Sequence, residues 1–161
     1  MSNIVAVIIF IFVILFLQIG ILPHLAILGA YPNLILVSIS ALSILRGWKK
    51  TLPWIIIGGL FLDIYSLRNF LGISVIILII AAYLAYHLSQ NTFKKTTLSS
   101  LALIFLITIF IYNLLMTVLY RLPSIGFDFK FTAFIMAIIY NWIIALPVFY
   151  LIKRYAQFRK I

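Results

Sequence analysis

The sequence has no cysteine and almost no acid. Among its 161 residues only Asp63 and Asp128 are acidic, and there are only two histidines. The lack of cysteine excludes disulfides and thiolate metal sites. General acid–base chemistry needs groups within reach of one another. The sequence contains no paired-Asp, Ser/His or HExxH arrangement of an intramembrane protease. We therefore expect a non-enzymatic protein that holds neither a metal nor a cofactor.

What the sequence does contain is apolar. Hydrophobic residues make up 66% of the chain and charged residues only 9%, which leaves too little polar surface for a soluble domain. The composition predicts an all-α polytopic membrane protein that forms one domain over residues 1–161. Spans two and three are short, so a helical hairpin that enters the membrane without crossing it is the alternative to two full crossings. The six predicted spans cover about 4–22, 33–45, 52–67, 72–88, 98–120 and 131–152.

The basic residues predict orientation rather than nucleic-acid binding. The net charge is +10, but the lysines and arginines lie in small clusters between the apolar runs. With six spans, nine of the twelve basic residues fall on the side of the two termini, so we expect both termini in the cytoplasm. The C-terminal cluster should bind anionic lipid headgroups, at about 1 kcal/mol per basic residue. Its members are Lys153, Arg154, Arg159 and Lys160.

Asp63 is the most unusual residue of the apolar runs. An unpaired charge at the centre of a bilayer costs about 2.5 to 3.5 kcal/mol on insertion scales. Twelve residues of helix separate Thr51 from Asp63, about 18 Å, which places the carboxylate past the midplane toward the outer face. One interpretation is a structural anchor, bonded to Ser or Tyr of a neighbouring helix or paired with Arg68. The other is a contact or proton-relay site, which the lack of a second intramembrane acid disfavours.

Two glycines precede Asp63 by about one helical turn. Small residues let helices approach closely in a membrane, and Gly59 and Asp63 share one helix face because they are four residues apart. We predict a packing seam, meaning a close helix–helix contact surface, either inside the bundle or with another protein. Local flexibility is the alternative explanation of the glycines. The predicted seam consists of Gly58, Gly59, Asp63 and Gly72.

Four further residues have predicted structural roles. Pro32 presets the backbone for the start of span two, and Asn33 can cap the free N–H groups there. Pro147 should kink span six. Asn141 is a polar residue within the same span and should need a buried partner. All four are interpreted as packing features rather than ligand sites.

Together these features resemble the MreD family of bacterial rod shape-determining membrane proteins. The resemblance covers nearly the whole chain and rests on the length, the six-span layout and a series of spaced residues. The series comprises Pro32-Asn33 and Leu71-Gly72 at the starts of spans two and four, the Gly59-xxx-Asp63 step, and the ending with Asn141, Pro147 and Lys153-Arg154.

The resemblance implies a scaffold of the machinery that builds the lateral peptidoglycan wall. Members of the family lie in the inner membrane and associate with MreC, which has one span and an extracytoplasmic domain. RodA, a class B penicillin-binding transpeptidase and the MreB cytoskeleton gather around that pair. The family's fold is similar to that of the substrate-binding subunits of energy-coupling-factor vitamin transporters. The rival hypothesis is therefore a vitamin-type transport subunit that binds its ligand near the outer face through Asn69, Asn113, Asp63 and tyrosines.

Overall fold

The protein is built from helices. The computed structural model describes residues 12–66, 71–92, 97–121 and 130–158. This part of the chain contains no strand longer than a single bridge between Ile27 and Ala30, so the all-α prediction is confirmed. The helices are α1 (Phe12–Leu25), α2 (Leu34–Arg46), α3 (Trp48–Tyr65), α4 (Ile73–His87), α5 (Leu98–Met116) and α6 (Phe131–Phe158).

The central element is the short helix α2. Ten of its 13 residues are buried, and it contacts α3, α4, α5 and α6. Three of the buried residues are serines, and the hydroxyl of Ser43 donates to the carbonyl oxygen of Ala82 on α4 at 2.6 Å. At 1.5 Å per residue α2 is about 20 Å long, shorter than the roughly 30 Å hydrocarbon layer. Helix α2 is therefore a short, buried central helix that is packed among longer helices.

Three helical stretches are long and apolar enough to cross a membrane. They are Ile73–Thr92, Leu98–Leu119 and Phe131–Arg154. Helices α1 and α2 are apolar but shorter, and charged residues at both ends interrupt the apolar run of α3. The structure thus supports a membrane protein with three helices of crossing length. Crossing by the other three stays a prediction.

Two helix boundaries differ from the predicted spans. The basic stretch between spans two and three is not a linker, because Gly47 alone separates α2 from α3 at a φ of 88°. Only glycine adopts such a conformation readily, so Trp48, Lys49 and Lys50 already belong to α3. At the other end of the chain, α6 continues past the predicted limit at residue 152, and Pro147 lies inside it. Because proline has no backbone N–H, Pro147 removes one backbone hydrogen bond from α6, but the helix continues.

The bundle has two chemically different ends. At the Asn33 end α2, α4 and α6 begin, and at the Arg46 end α2, α4 and α6 finish. At the Arg46 end, Trp48 of α3 packs edge-on against Tyr83 of α4, with 5.7 Å between the ring centroids. The basic residues of the described helices concentrate there as well. They are Arg46, Lys49, Lys50, Lys153 and Arg154, whereas Arg121, in the helical turn after α5, and Lys130, just before α6, lie at the Asn33 end.

Candidate functional site

Asp63 holds the start of α4. Its Oδ2 accepts a hydrogen bond from the backbone N–H of Gly72 at 2.7 Å. The N–H of Ser74 lies 3.2 Å from Oδ1 and 3.3 Å from Oδ2. The side chain is completely buried. Because the first N–H groups of a helix lack partners within the helix and carry partial positive charge, this carboxylate caps α4 from the neighbouring helix.

Gly59 makes that contact possible. A Cβ at Gly59 would lie 2.7 Å from the Cα of Val75 and 2.8 Å from its N atom. The backbone of α4 therefore rests directly on this glycine, one helical turn before Asp63. Gly72, the N-cap residue of α4, has a φ of 100° and no side-chain cap of its own. The close approach and the left-handed backbone together bring the N–H groups of α4 to the carboxylate.

Gly58 serves a different neighbour. A Cβ on this residue would lie 2.7 Å from the Cγ2 atom of Ile35 on α2. The structure thus brings Gly59, Asp63 and Gly72 together between α3 and α4 and places Gly58 between α3 and α2, all within one chain. The contacts of Asp63 with α4 are made to backbone N–H groups, and the expected serine or tyrosine side-chain partner stays a prediction. Arg68, the other expected partner, lies outside the described residues.

A second set of polar groups surrounds the start of α2. Asn33 is the N-cap residue, the role that its position predicts, and its Oδ1 accepts from the N–H of Leu36 at 3.0 Å. The N–H of Asn33 donates to Oδ1 of Asn141 at 2.6 Å. Asn141 is buried, so this contact supplies the partner that its position in α6 requires. Pro32, just before the cap, is buried too.

Two residues of this set, Gln18 and Tyr112, are not predicted from the sequence. Gln18 of α1 is buried, and its Oε1 accepts from the N–H of Leu34 at 2.8 Å while its Nε2 donates to the carbonyl oxygen of Pro32 at 3.3 Å. The hydroxyl of Tyr112 on α5 accepts from Nδ2 of Asn33 at 3.1 Å. A glutamine inside an apolar run is the available signal, because such a side chain needs an internal partner. Tyr112 carries no comparable signal.

A cavity of about 420 Å³ adjoins this network at the Asn33 end. Its wall comes from the loop before α2 and from α5 and α6. Asn113, named in the transport hypothesis, lines it, whereas Asp63 is not among the lining residues and Asn69 lies outside the described part of the chain. The polar lining residues are Tyr31, Asn33, Tyr112, Asn113, Thr117 and Asn141.

The remaining predicted residues lie apart from both sets. Pro147 is on α6, exposed at the surface, and Lys153 and Arg154 follow at the Arg46 end, half-buried and exposed. Arg159 and Lys160 lie outside the described residues. Over residues 12–66, 71–92, 97–121 and 130–158, no three His, Asp or Glu residues group closely enough to hold a metal ion.

Comparisons with known proteins find no family model, no curated protein and no solved structure that matches the chain. The resemblance to the MreD family therefore rests on the residues and spacings given above.

Proposed function

We propose that the chain is a non-enzymatic scaffold of the bacterial cell-elongation machinery that binds MreC in the inner membrane. In this proposal RodA, a class B penicillin-binding transpeptidase and the MreB cytoskeleton assemble around the pair. The spaced residues from Pro32 to Gly72 and from Asn141 to Arg154 supply the resemblance on which the proposal rests.

The observation that carries the proposal is the role of Asp63. It is the only carboxylate side chain in the described residues, and it caps the start of α4. A carboxylate so engaged stabilises a helix pair, as a scaffold requires. A proton relay through the membrane would need a second acid within the spans, and the only other acid of the sequence, Asp128, lies between predicted spans five and six. The capping geometry of Asp63 thus favours a structural role over proton transport.

Co-purification with MreC tests this proposal. The chain and the MreC protein of the same genome are co-expressed, and one is captured by an affinity tag from solubilised membranes. We expect MreC to be retained, and we expect loss of retention when its single span is replaced by that of an unrelated membrane protein. A monodisperse chain that retains no native MreC would contradict the proposal.

The orientation belongs to the same proposal. We propose six crossings with both termini in the cytoplasm, which the concentration of basic residues at the Arg46 end supports. Reporter fusions measure it directly. A cytoplasmic reporter after residue 161 should be active, and a periplasmic reporter inserted near Gly29 should be active as well. A C-terminus in the periplasm together with an active periplasmic reporter near Gly29 would show that the number of crossings is odd.

The cavity favours a second candidate function. A substrate-binding subunit of a vitamin-type transporter needs a ligand site between its helices near the outer face, and the cavity beside Asn113 offers one. Native mass spectrometry of the purified chain separates the two candidates. A vitamin that remains bound through purification would favour transport, whereas a bare chain that captures MreC would favour the scaffold.

A further inference from the structure

We propose that the cavity at the Asn33 end is a binding site for an uncharged ring compound with hydrogen-bonding groups on its edge. The proposal concerns the cavity itself and holds whether or not the chain binds MreC. At about 420 Å³ the cavity lies within the range of small-molecule sites, roughly 300 to 1,000 Å³.

The cavity lining combines polar but uncharged groups with apolar side chains. Amide and hydroxyl groups come from Asn33, Asn113, Asn141 and Thr117, and none of the lining residues that the structure describes is ionisable at neutral pH. An ion held by these residues alone would lose water without gaining a counter-charge, which is costly. An uncharged molecule that exchanges hydrogen bonds with amides avoids that cost. The chemistry of the wall thus selects against ions.

The apolar part of the wall suits a ring. Tyr31, Tyr112 and Phe134 place three aromatic rings around the cavity, and Met116 adds a flexible apolar side chain. Aromatic side chains offer flat apolar area and pair favourably with other rings in stacked or edge-on arrangements. A planar ring would cover this area, and polar groups on its edge would meet the amides.

Asn113 has hydrogen-bonding capacity that the fold does not use. Its Nδ2 donates to the carbonyl oxygen of Ile109 at 2.9 Å, one turn back on its own helix. Its Oδ1 accepts no hydrogen bond from the described residues. The hydroxyl of Tyr31 likewise has no partner among them. Each lines the cavity, so an acceptor and a hydroxyl remain for a ligand.

Asn141 and Asn33 form a part of the wall that is fixed in place. Asn141 accepts from the N–H of Asn33, and its Nδ2 donates to the carbonyl oxygen of Ala137 at 2.7 Å. The amide of Asn141 is therefore held by backbone groups of Asn33 and α6, and the amide of Asn33 is held by the N–H of Leu36 and the hydroxyl of Tyr112. A site whose polar groups are already oriented loses little side-chain entropy on binding. The cavity thus joins a rigid wall to two free polar groups.

Binding of matched uncharged and charged probes tests the proposal. The chain is placed in nanodiscs of zwitterionic lipid, and titration calorimetry is run with nicotinamide and adenosine. Each is paired with a charged counterpart of similar shape, nicotinate and adenosine monophosphate. We expect at least one uncharged compound to bind and its charged counterpart to bind at least tenfold more weakly.

Two variants locate the binding. Asn113→Leu removes the free acceptor and should raise Kd about tenfold, and Ala137→Phe should abolish binding by filling the cavity. Asn91→Leu is the matched control, because Asn91 is exposed at the Arg46 end and should leave binding unchanged. Thermal unfolding without ligand shows that each variant is folded, and the probe pairs test the native chain independently of all variants.

Three results would overturn the site. They are failure of both uncharged probes to bind the native chain at millimolar concentration, equal binding of a probe and its charged counterpart, and binding that survives in folded Ala137→Phe protein.

Discussion

Helices α4 and α2 both begin inside the bundle, but different chemistry caps them. The start of α4 meets one carboxylate, Asp63, which accepts from the N–H groups of Gly72 and Ser74. The start of α2 meets neutral amides, since Asn141 and Gln18 accept from its first N–H groups. Both solutions satisfy donors that a membrane interior would leave without water.

The two caps differ in how many helices their side chains can connect. In its contacts with α4 the Asp63 side chain only accepts hydrogen bonds, whereas an amide side chain both donates and accepts. Asp63 therefore joins α3 to α4. The amides connect further, because Asn33 also donates to Tyr112 and Gln18 also donates to the carbonyl oxygen of Pro32. The first cap ties two helices together, and the second ties four helices together at the wall of a cavity.

Removing the carboxylate should have the largest effect on stability. Asp63→Leu leaves the N–H groups of Gly72 and Ser74 without their acceptor in a buried site, where each unsatisfied group costs about 1–3 kcal/mol. We expect a loss of roughly 3 kcal/mol or more in unfolding free energy, measured by denaturant titration in micelles. Asp63→Asn keeps one acceptor and should lose less than half as much. Equal losses in the two variants would show that charge, and not hydrogen bonding, holds α4.

Closing the space at Gly59 should have the next largest effect. In Gly59→Ala the new Cβ meets the backbone of Val75, which cannot rotate away, so we expect a loss of about 1–3 kcal/mol. Gly20→Ala is the matched control, because its Cβ would meet only ring atoms of Phe16 at 3.9 Å. That variant should be neutral or gain up to about 1 kcal/mol from helix propensity. A Gly59→Ala protein as stable as the control would refute the close α3–α4 contact.

Removing the Asn33 cap of α2 should lower the unfolding free energy by less, although Asn33 also contacts α5 and α6. Asn33→Ala removes the N-cap acceptor and the donor to Tyr112, so we expect a loss of about 2 kcal/mol, the upper end of cap energies. Thr97→Ala is the comparison, because Thr97 caps α5 through the N–H of Ser100. It should lose about 1 kcal/mol. Similar losses in thermal or denaturant unfolding would mean that the cross-helix bonds of Asn33 add little.

Local rules predicted the parts of both caps that depend on spacing. The Gly59-xxx-Asp63 step predicted a shared face, and Pro32-Asn33 predicted a helix start with an asparagine cap; both features are present. The partners were not predictable. No spacing rule relates Asn33 to Asn141, 108 residues away, or Asp63 to the backbone of α4, because those contacts follow from how the helices pack. For the same reason the serines and short length of α2 did not reveal that it is the central helix.

The smallest effect on stability is expected at Asn113, which lines the cavity but caps no helix, unlike Asn33 and Asn141. Asn113→Leu removes an amide whose Nδ2 bonds only its own helix, so we expect the unfolding free energy to change by no more than about 0.5 kcal/mol. Asn141→Leu changes an amide of the same size but deprives the N–H of Asn33 of its acceptor, and should cost about 1–3 kcal/mol. Parallel denaturant titrations of the two variants measure the contrast. If Asn113→Leu were as damaging as Asn141→Leu, Asn113 would belong to the structural network and would be unavailable to a ligand. If the contrast holds, the Asn33 end contains amides that maintain the fold beside an amide that the fold does not need.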